Sequence, residues 1–276
     1  MNVQQALEMV TQTDSGMVRS HNEDSLVLDS SCGLAVLADG MGGYNAGEVA
    51  SNIAISVVSK EVKRYQSKIH PGKKSEIEEG FSEELLRESI IKANTAILSS
   101  ARKQPEYAGM GTTIVSALFY DNRVAVAHVG DSRLYRLRAD YLESITLDHS
   151  LLQEQINEGF ISKEEARLSR NKNLVTRALG VEIDVEVETH VHEVKVGDIY
   201  LLCSDGLNDM LEDDEICATL VMYKSNVPLA AERLIQLAND KGGKDNVSVI
   251  LVKINSDFAV SASWFEKLLL RFKKTS

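Results

Sequence analysis

Short apolar runs typical of β-strands recur along the whole of this 276-residue chain, and they constrain its fold more than any other feature. The runs are rich in Val, Ile and Leu and are bounded by Gly, Asp or Asn, which is the pattern of strands between turns. The predicted strands are residues 26–29, 34–38, 112–119, 124–129, 134–138, 199–203 and 247–254. Asp121–Asn122 and Ala139–Asp140 favour hairpin turns, so we expect antiparallel pairing in the middle of the chain.

Helical periodicity appears between groups of these strands. It covers residues 48–65, 82–103, 150–158 and 228–239. Strands that alternate with pairs of helices predict an α+β architecture, in which antiparallel sheets are covered by helices. The longest polar interruption, residues 67–79, has the composition of a surface loop within one domain.

Composition and charge exclude several classes of protein. Hydrophobic residues make up 43% of the chain, which is enough for a real core. The formal charge of −11 disfavours nucleic acid as a partner, because an acidic surface repels the phosphate backbone. The three cysteines form no CxxC pair, and no signal peptide or membrane-length apolar stretch is recognisable, so we expect a cytoplasmic protein. His190 and His192 lie two residues apart and are weak evidence for zinc.

Several acidic residues stand where a predicted strand meets a turn: Asp39, Asp131, Asp205, Asp245 and the pair Glu23 and Asp24. One such acid is explained by turn capping, since Asp suits turns. A set of them, if gathered, would be mutually repulsive carboxylates that raise one another's pKa. Hard divalent cations relieve this repulsion, and oxygen ligands favour Mg²⁺ or Mn²⁺ over zinc.

Other catalytic motifs fail in this sequence. The glycines after Asp39 do not form a dinucleotide loop, because Asn45 occupies the third Gly position of GxGxxG. Ser204 lacks the GxSxG context of a serine hydrolase, and no Walker A sequence occurs. A metal-centred hydrolase is the remaining hypothesis.

A series of motifs, in order over roughly residues 8–254, resembles the bacterial branch of the metal-dependent type 2C (PPM family) Ser/Thr protein phosphatases. The motifs are Asp14-x-Gly16-x-x-Arg19-x-x-Asn22-Glu23-Asp24-Ser25, Ala38-Asp39-Gly40-Met41-Gly42-Gly43, Gly111-Thr112-Thr113, His128-x-Gly130-Asp131-Ser132-Arg133-x-Tyr135, Leu147-Asp148-His149-Ser150, Thr176-Arg177-Ala178-Leu179-Gly180, Ser204-Asp205-Gly206-Leu207 and Asp245-Asn246-Val247-Ser248-Val249. The resemblance implies a central antiparallel β-sandwich flanked by pairs of helices. It also implies a phosphatase domain at residues 1–254, followed by a basic amphipathic tail at 255–276.

The resemblance further implies a site for two Mn²⁺ or Mg²⁺ ions, with a third, weaker ion as an option. Its implied metal ligands are Asp39, bridging both ions, the Gly40 carbonyl on the first, Glu23, Asp205 and Asp245 on the second, and Asp131 with Asp205 on the third. Asp24 and Asn246 would support these ligands, and Arg19 would contact the substrate phosphate. Residues 156–173 fall where the family carries a flap beside the site.

The implied reaction is hydrolysis of phosphoserine and phosphothreonine by direct attack of a metal-bridging hydroxide, with Asp39 and Arg19 as catalytic residues. Met41 stands where some eukaryotic members carry a histidine proposed as general acid. We do not expect His128 to replace it, because His128 alternates with apolar residues in a strand. A phosphoprotein-binding pseudophosphatase of the same fold is the alternative function, and its expected mark, a missing metal acid, is not seen.

The implied partners are phosphorylated proteins, with a cognate Ser/Thr kinase among them, and we expect a monomer. The tail could contact a membrane or a partner, but we favour a terminal helix that is docked on its own domain or frayed.

Overall fold

The computed structural model describes residues 3–43, 46–66, 80–162, 165–166, 169 and 174–259. The predicted loop at 67–79 and most of the predicted tail, residues 260–276, lie outside the described residues. Among the described residues, no helix is both long enough and apolar enough to cross a membrane.

The predicted helices and strands are present in order, together with several elements that the sequence patterns did not predict. The helices are α1 Val3–Ala6, α2 Ala46–Gln66, α3 Phe81–Lys103, α4 Leu151–Asn157, α5 Asp205–Asn208, α6 Asp213–Met222 and α7 Val227–Asp240, with a 3-10 turn at Pro105–Tyr107. The strands are β1 Leu7–Asp14, β2 Asp24–Asp29, β3 Leu34–Met41, β4 Gly111–Thr112, β5 Ile114–Tyr120, β6 Arg123–Val129, β7 Arg133–Arg138, β8 Tyr141–Ser144, β9 Glu188–Glu193, β10 Ile199–Cys203 and β11 Val247–Ile254.

The strands form two antiparallel sheets that pack face to face. One sheet has the order β1-β11-β10-β7-β8, and the other has the order β2-β3-β5-β6-β9, with β4 paired to β3. Leu37 and Phe119 of the second sheet share one buried cluster with Tyr200 and Ile250 of the first. The two sheets therefore enclose a common core, as in a β-sandwich.

A helical layer covers the outer face of each sheet. Helices α2 and α3 bury residues such as Ala54 and Ile90 against the outer face of the second sheet. Helices α6 and α7 bury Ile216 and Leu234 against the first sheet. The resulting four layers confirm the α+β sandwich that the sequence predicts.

The structure confirms both predicted hairpins and corrects one predicted strand. Asp121, Asn122, Ala139 and Asp140 all have positive φ angles, between 44° and 61°, as a type I′ turn requires. The single strand predicted at residues 112–119 is instead two strands, β4 and β5, because the chain leaves the ladder at Thr113. At this break the Thr113 hydroxyl forms a hydrogen bond with Ser132 Oγ, at 2.7 Å.

The topology brings the predicted acidic residues to one end of the sandwich. Strand β3 ends just after Asp39, and β2 begins at Asp24 directly opposite. In the other sheet β10 ends just before Asp205, while β11 begins just after Asp245 and runs antiparallel to β10. Asp131 lies in the tight connection between β6 and β7.

Candidate metal centre

Asp39 occupies the middle of the acidic end and has a fixed backbone. Its N–H donates to Thr113 Oγ1 at 3.3 Å, and its carbonyl accepts from Thr113 N at 2.9 Å and from Thr112 Oγ1 at 2.8 Å. The Gly111-Thr112-Thr113 motif therefore holds the end of β3 in place. Asp24 faces Asp39 across the β2–β3 pair, so both side chains point to the same face of the sheet.

Glu23 is held against the start of helix α2 through its backbone. Its N–H donates to Asn246 Oδ1 at 2.8 Å, and its carbonyl accepts from Ser51 Oγ at 2.6 Å and from Gly40 N at 3.2 Å. Gly47 lets the carboxylate approach, because a Cβ at that position would lie 2.8 Å from Glu23 Oε1. Glu23 Oε1 is buried and has no hydrogen-bond partner.

Asp205 starts helix α5, and the backbone beside it is tightly packed. A Cβ on Gly206 would lie 2.0 Å from the Asn246 carbonyl oxygen, so this approach of α5 to the start of β11 requires glycine. The preceding Ser204 donates from Oγ to Asp24 Oδ2 at 2.9 Å and accepts from Ser248 N at 3.0 Å. Ser204 therefore connects the two sheets at the acidic end.

Asn246 fixes the loop that joins β1 to β2. Besides accepting from Glu23, it donates from Nδ2 to the carbonyls of Ser15 at 3.0 Å and His21 at 2.9 Å. Its N–H donates to Asp245 Oδ1 at 2.9 Å. One buried amide thus sets the position of Glu23 relative to Asp245, which agrees with the supporting role that the sequence resemblance implies.

Arg19 extends from the same loop over the acidic end. Its Nη2 donates to Asp245 Oδ2 at 2.7 Å, while half of its side chain stays exposed to solvent. The hydrogen bond to Asp245 raises the Arg19 pKa, with smaller contributions from the charges of Asp245, Glu23 and Asp205. The guanidinium is therefore a cation beside the predicted ligand Asp245.

Asp131 opens onto a cavity of about 240 Å³ beside the acidic end. Asp205, Asp209 and Arg133 line the same cavity, and so does Ile156 from α4. The cavity therefore connects the predicted third-metal position to the start of the segment predicted as a flap.

The two central carboxylates, those of Asp39 and Asp205, have raised pKa values. Burial, followed by the charges of Asp24 and Asp205, raises the pKa of Asp39 well above its usual range. Burial and the charges of Asp131 and Asp209 do the same for Asp205.

The supporting acid Asp24 and the cavity acid Asp131 are shifted in the same direction. Burial raises the pKa of Asp24 to about 6 against opposing hydrogen bonds from Ser248 and Ser204. Burial, followed by the charge of Asp148, raises the pKa of Asp131 to about 6. Oxygen donors with raised pKa values, together with Oε1 of Glu23 and Oδ1 of Asp24, which accept no hydrogen bond, fit hard divalent cations.

The ligand atoms of the predicted metal-binding carboxylates lie near Asp39 but are not tightly clustered. Among the described residues, no three of these carboxylates have ligand atoms that all lie within 4.8 Å of one another. A spread set of this kind suits ligands shared between neighbouring ions rather than a single ion.

Sequence reasoning gave no role to Asp209, Ser204 or Ser248. Asp209 raises the pKa of both Asp205 and Asp131, Ser204 hydrogen-bonds Asp24, and Ser248 N donates to Ser204 Oγ. The motifs around Asp205 and Asp245 contained both serines, but only the β10–β11 register shows that they meet.

His128 is buried, as predicted, and its Nε2 lies 2.9 Å from the Leu147 carbonyl. Burial lowers its pKa to about 4. A neutral, enclosed imidazole of this kind is a poor general acid, so His128 does not replace the histidine whose position Met41 occupies.

Two helix-covered antiparallel sheets with an oxygen-donor centre at one end define a metal-dependent phosphatase of the class that the sequence resembles. Residues 17–245 match the family described as protein phosphatase 2C. The chain therefore belongs to the protein phosphatase 2C family.

Named relatives agree with this assignment. The serine/threonine phosphatase stp of Listeria innocua is 39% identical over 246 residues, which cover 88% of this chain and 94% of stp. The serine/threonine protein phosphatase PstP of Mycobacterium tuberculosis is 38% identical over 248 residues, which cover 90% of this chain and 45% of PstP.

Solved structures show the same fold. A crystal structure of Mycobacterium tuberculosis PstP superimposes with a TM-score of 0.81 at 37% identity, covering 91% of this chain and 99% of that one. A second structure contains the PstP catalytic domain in complex with two manganese ions, and it superimposes with a TM-score of 0.78 over 91% of this chain.

Proposed function

We propose that this chain hydrolyses phosphoserine and phosphothreonine in proteins and uses Mn²⁺ or Mg²⁺ to do so. The observation that carries the proposal is the convergence of Asp24, Asp39, Asp205 and Asp245 at one end of the sandwich, where each of the first three has a raised pKa. Clustered carboxylates destabilise a fold unless their charges are neutralised, and bound cations would neutralise them.

The proposed ligands come from both sheets and from the loop before β2. The ligands are Asp39, Glu23, Asp205, Asp245 and the Gly40 carbonyl for two cations, and Asp131 with Asp205 for a third. When bound, such cations lower the pKa of a water and offset negative charge on the phosphoryl group. Asp24 is paired with Ser204 and supports this set, as does Asn246.

Arg19 is the proposed contact for the substrate phosphate. Its guanidinium lies at the exposed rim and pairs with Asp245, and a bidentate fork suits phosphate oxygens. Once the charge of Asp245 is neutralised by a cation, Arg19 can turn its donors toward an incoming phosphate. In the reaction, a water oxygen bonds to phosphorus, the bond from phosphorus to the Ser or Thr oxygen breaks, and the alcohol takes up a proton.

The cavity beside Asp131 is the proposed position for residues that flank the phosphorylated side chain. It joins the acidic end to α4 and to Ala166, which belongs to the segment at 156–173 that we propose as the flap. The pseudophosphatase alternative finds no support, because every predicted acid is present at the acidic end.

The proposed setting is the cytoplasm of a bacterium, where the enzyme would act as a monomer and reverse a cognate Ser/Thr kinase in signal transduction. Cys32, Cys203 and Cys217 form no disulfide in the described part of the chain, and two of them are buried, which suits a reducing compartment. The proposed catalytic domain is residues 1–254 and the proposed tail is residues 255–276, although the first residues of that tail pack on the domain: Asn255 N donates to the Ala6 carbonyl, and Phe258 is buried in the core between the sheets.

A phosphopeptide assay tests the proposal. The full chain is given matched phosphoserine, phosphothreonine and phosphotyrosine peptides with Mn²⁺, with Mg²⁺ and with EDTA, and phosphate release is measured. The proposal predicts release from the first two peptides with either metal and background release in EDTA. Release that is unaffected by EDTA, or binding of the peptides without release, would contradict it.

A further inference from the structure

Three histidines and a glutamate meet at the open edge of the second sheet, beside the connection between β6 and β7 that carries Asp131. Strand β9 is the edge strand and pairs with β6, and this register places Glu188 opposite His128 and His190 opposite Val126. Because alternate residues share a face, Glu188 and His190 project to the same side as His128. His149, from the loop after β8, stacks on the His128 ring with centroids 4.6 Å apart.

One ring nitrogen of His128 forms no hydrogen bond, so its lone pair is available to a metal ion. Nε2 bonds the Leu147 carbonyl at 2.9 Å, so it carries the proton, and Nδ1 has the lone pair. Nδ1 is buried and has no hydrogen-bond partner. Burial also lowers the His128 pKa to about 4, so the ring is neutral at physiological pH. A neutral imidazole whose second nitrogen is fixed by a carbonyl is the usual form of a metal-ligating histidine.

Glu188 is oriented by two of the histidines. His149 accepts from Gly130 N at Nδ1, at 3.2 Å, so its Nε2 carries the proton and donates to Glu188 Oε2 at 3.1 Å. His190 Nε2 lies 2.7 Å from Glu188 Oε1. Burial works against the charged carboxylate, yet these hydrogen bonds from His149 and His190 lower the Glu188 pKa. Glu188 is therefore a charged ligand in a defined orientation.

Two imidazoles and one carboxylate converge here closely enough to share an ion. One ring nitrogen of His128, one of His190 and one oxygen of Glu188 all lie within 4.8 Å of one another, the one such group among the described residues. Ligands on a tetrahedral zinc are about 3.4 Å apart, which follows from bonds of about 2.1 Å. Side-chain adjustments of about 1 Å close that gap, and β9 is an edge strand with half-buried side chains that can make them.

We infer that His128, His190 and Glu188 form a second metal site, selective for a borderline transition metal such as Zn²⁺ and separate from the carboxylate centre. Two nitrogens and one oxygen suit Zn²⁺, whereas Mg²⁺ and Mn²⁺ prefer all-oxygen sets such as the one around Asp39. The cation would take the place of the proton in the hydrogen bond between His190 and Glu188. His149 would keep its hydrogen bond to the other oxygen of Glu188 and so orient the carboxylate. The inference does not depend on the proposed phosphatase activity.

His192 provides a matched control on the same strand. It lies two residues after His190 on the same face, with ring centroids 6.1 Å apart, and it is not part of the converging group. His190→Ala and His192→Ala therefore remove the same chemical group from neighbouring positions. His190→Gln and Glu188→Gln are conservative second variants, and far-UV circular dichroism checks that each variant is folded.

Zinc binding to the full chain tests the site. Proteins saturated with Mn²⁺ are dialysed against buffered Zn²⁺, and bound zinc is counted by elemental analysis. We expect His190→Ala and Glu188→Gln to bind one zinc ion fewer than wild type, or to bind it at least tenfold more weakly, while His192→Ala matches wild type. Equal zinc content and affinity in wild type, His190→Ala and Glu188→Gln would overturn the inference, and so would equal loss in His190→Ala and His192→Ala.

A second measurement uses the wild-type protein alone. Long-range ¹H–¹⁵N spectra of the imidazole rings are recorded while Zn²⁺ is added to the Mn²⁺-free protein with Mg²⁺ in excess. The inference predicts that the His128 and His190 ring nitrogens shift together with one zinc equivalent. Zinc uptake without movement of the His128 and His190 signals would place the ion elsewhere and contradict the inference.

Discussion

Asp24 lies directly opposite Asp39 in the antiparallel pair of β2 and β3, and the two partly buried carboxylates face the same side of the sheet. After burial, the charge of Asp24 is the largest cause of the raised pKa of Asp39. The metal-free protein must therefore hold protons on this pair or accept the repulsion between two charges. Because either a proton or a bound cation relieves this repulsion, the stability of the protein should depend on both pH and metal concentration.

The first prediction concerns the pH dependence of the metal-free protein. The pKa of Asp24 is about 6 in the folded chain, against the model-compound value of 3.8 expected after unfolding. The folded state thus binds this proton more tightly, and its stabilising effect is complete below pH 4 and is lost as the pH rises through 6. Asp24→Asn does not titrate. In EDTA, the unfolding free energy of wild type should fall relative to Asp24→Asn by about 1 kcal/mol or more between pH 5 and pH 8, since the substitution also removes the charge that raises the pKa of Asp39.

Urea unfolding of both proteins at several pH values measures this difference. Saturating Mn²⁺ should reduce it, since bound cations favour the charged carboxylates. A difference between the two proteins that stays constant from pH 5 to pH 8 would show that Asp24 is not protonated in the folded, metal-free state.

Gly47→Ala should weaken metal binding even though alanine favours helices. Alanine in place of a helical glycine normally stabilises a protein by about 0.5–1 kcal/mol. Here the new Cβ would lie 2.8 Å from the Glu23 carboxylate and 2.8 Å from the Gly40 carbonyl carbon, so both proposed ligands must move. We expect the Kd for Mn²⁺, measured by isothermal titration calorimetry, to rise about 10- to 100-fold. Gly43→Ala is the control, because a Cβ there meets nothing within 4 Å; equal effects of both changes would refute this role of Gly47.

Asn246→Ala should destabilise the protein through the loop between β1 and β2. The substitution removes three hydrogen bonds, to Glu23 N and to the carbonyls of Ser15 and His21, at a buried position. At about 0.5–1.5 kcal/mol for each bond, we expect a loss of about 2–4 kcal/mol in urea unfolding. Asn52→Ala, which removes one exposed hydrogen bond to Glu48, should cost far less. A loss below about 1 kcal/mol for Asn246→Ala would mean that the loop is held by other contacts.

Arg19→Ala should affect catalysis more than stability. The pair with Asp245 is half exposed, so its removal should change the unfolding free energy by about 1 kcal/mol or less. Loss of a charge-assisted hydrogen bond to phosphate, worth about 1.5–3 kcal/mol, should lower kcat/KM for a phosphopeptide about 10- to 150-fold. Arg64→Ala removes a guanidinium of similar exposure from an ion pair with Glu61. If both variants keep wild-type kcat/KM, Arg19 does not contact the substrate.

Most of the fold could be predicted from local patterns. The hairpins at Asp121 and Ala139 and the long helices α2, α3 and α7 follow from turn chemistry and hydrophobic period. Strand β1, with the sequence LEMVTQTD, was not predicted, because its polar residues obscure the alternation at the sheet edge. Helix α6 was also missed, although its capping box of Glu212 and Glu215 was present in the sequence as a start signal.

The candidate centre was predictable as a set of residues but not as a geometry. Each acid stands at the end of a strand, and antiparallel pairing brings such ends together, as for Asp24 and Asp39. The support from Ser204 to Asp24 crosses between the sheets, so no local pattern could reveal it. The meeting of His128, His149 and Glu188 likewise depends on the β6–β9 register and on where the loop after β8 returns.

Asp205→Asn gives the most direct test of the carboxylate metal centre. Substitution of a residue that only supports a metal ligand typically lowers metal affinity or activity about 10- to 100-fold. Loss of a ligand itself should therefore reduce phosphopeptide turnover by more than about 100-fold and weaken Mn²⁺ binding in parallel. The metal-free variant should remain folded and gain stability, because the charges of Asp131 and Asp209 no longer act on a partly buried carboxylate. Asp140→Asn removes a surface charge that pairs with Lys224, and it should keep wild-type turnover and binding. Turnover by Asp205→Asn at the wild-type rate, unchanged by EDTA, would contradict the metal-centred account.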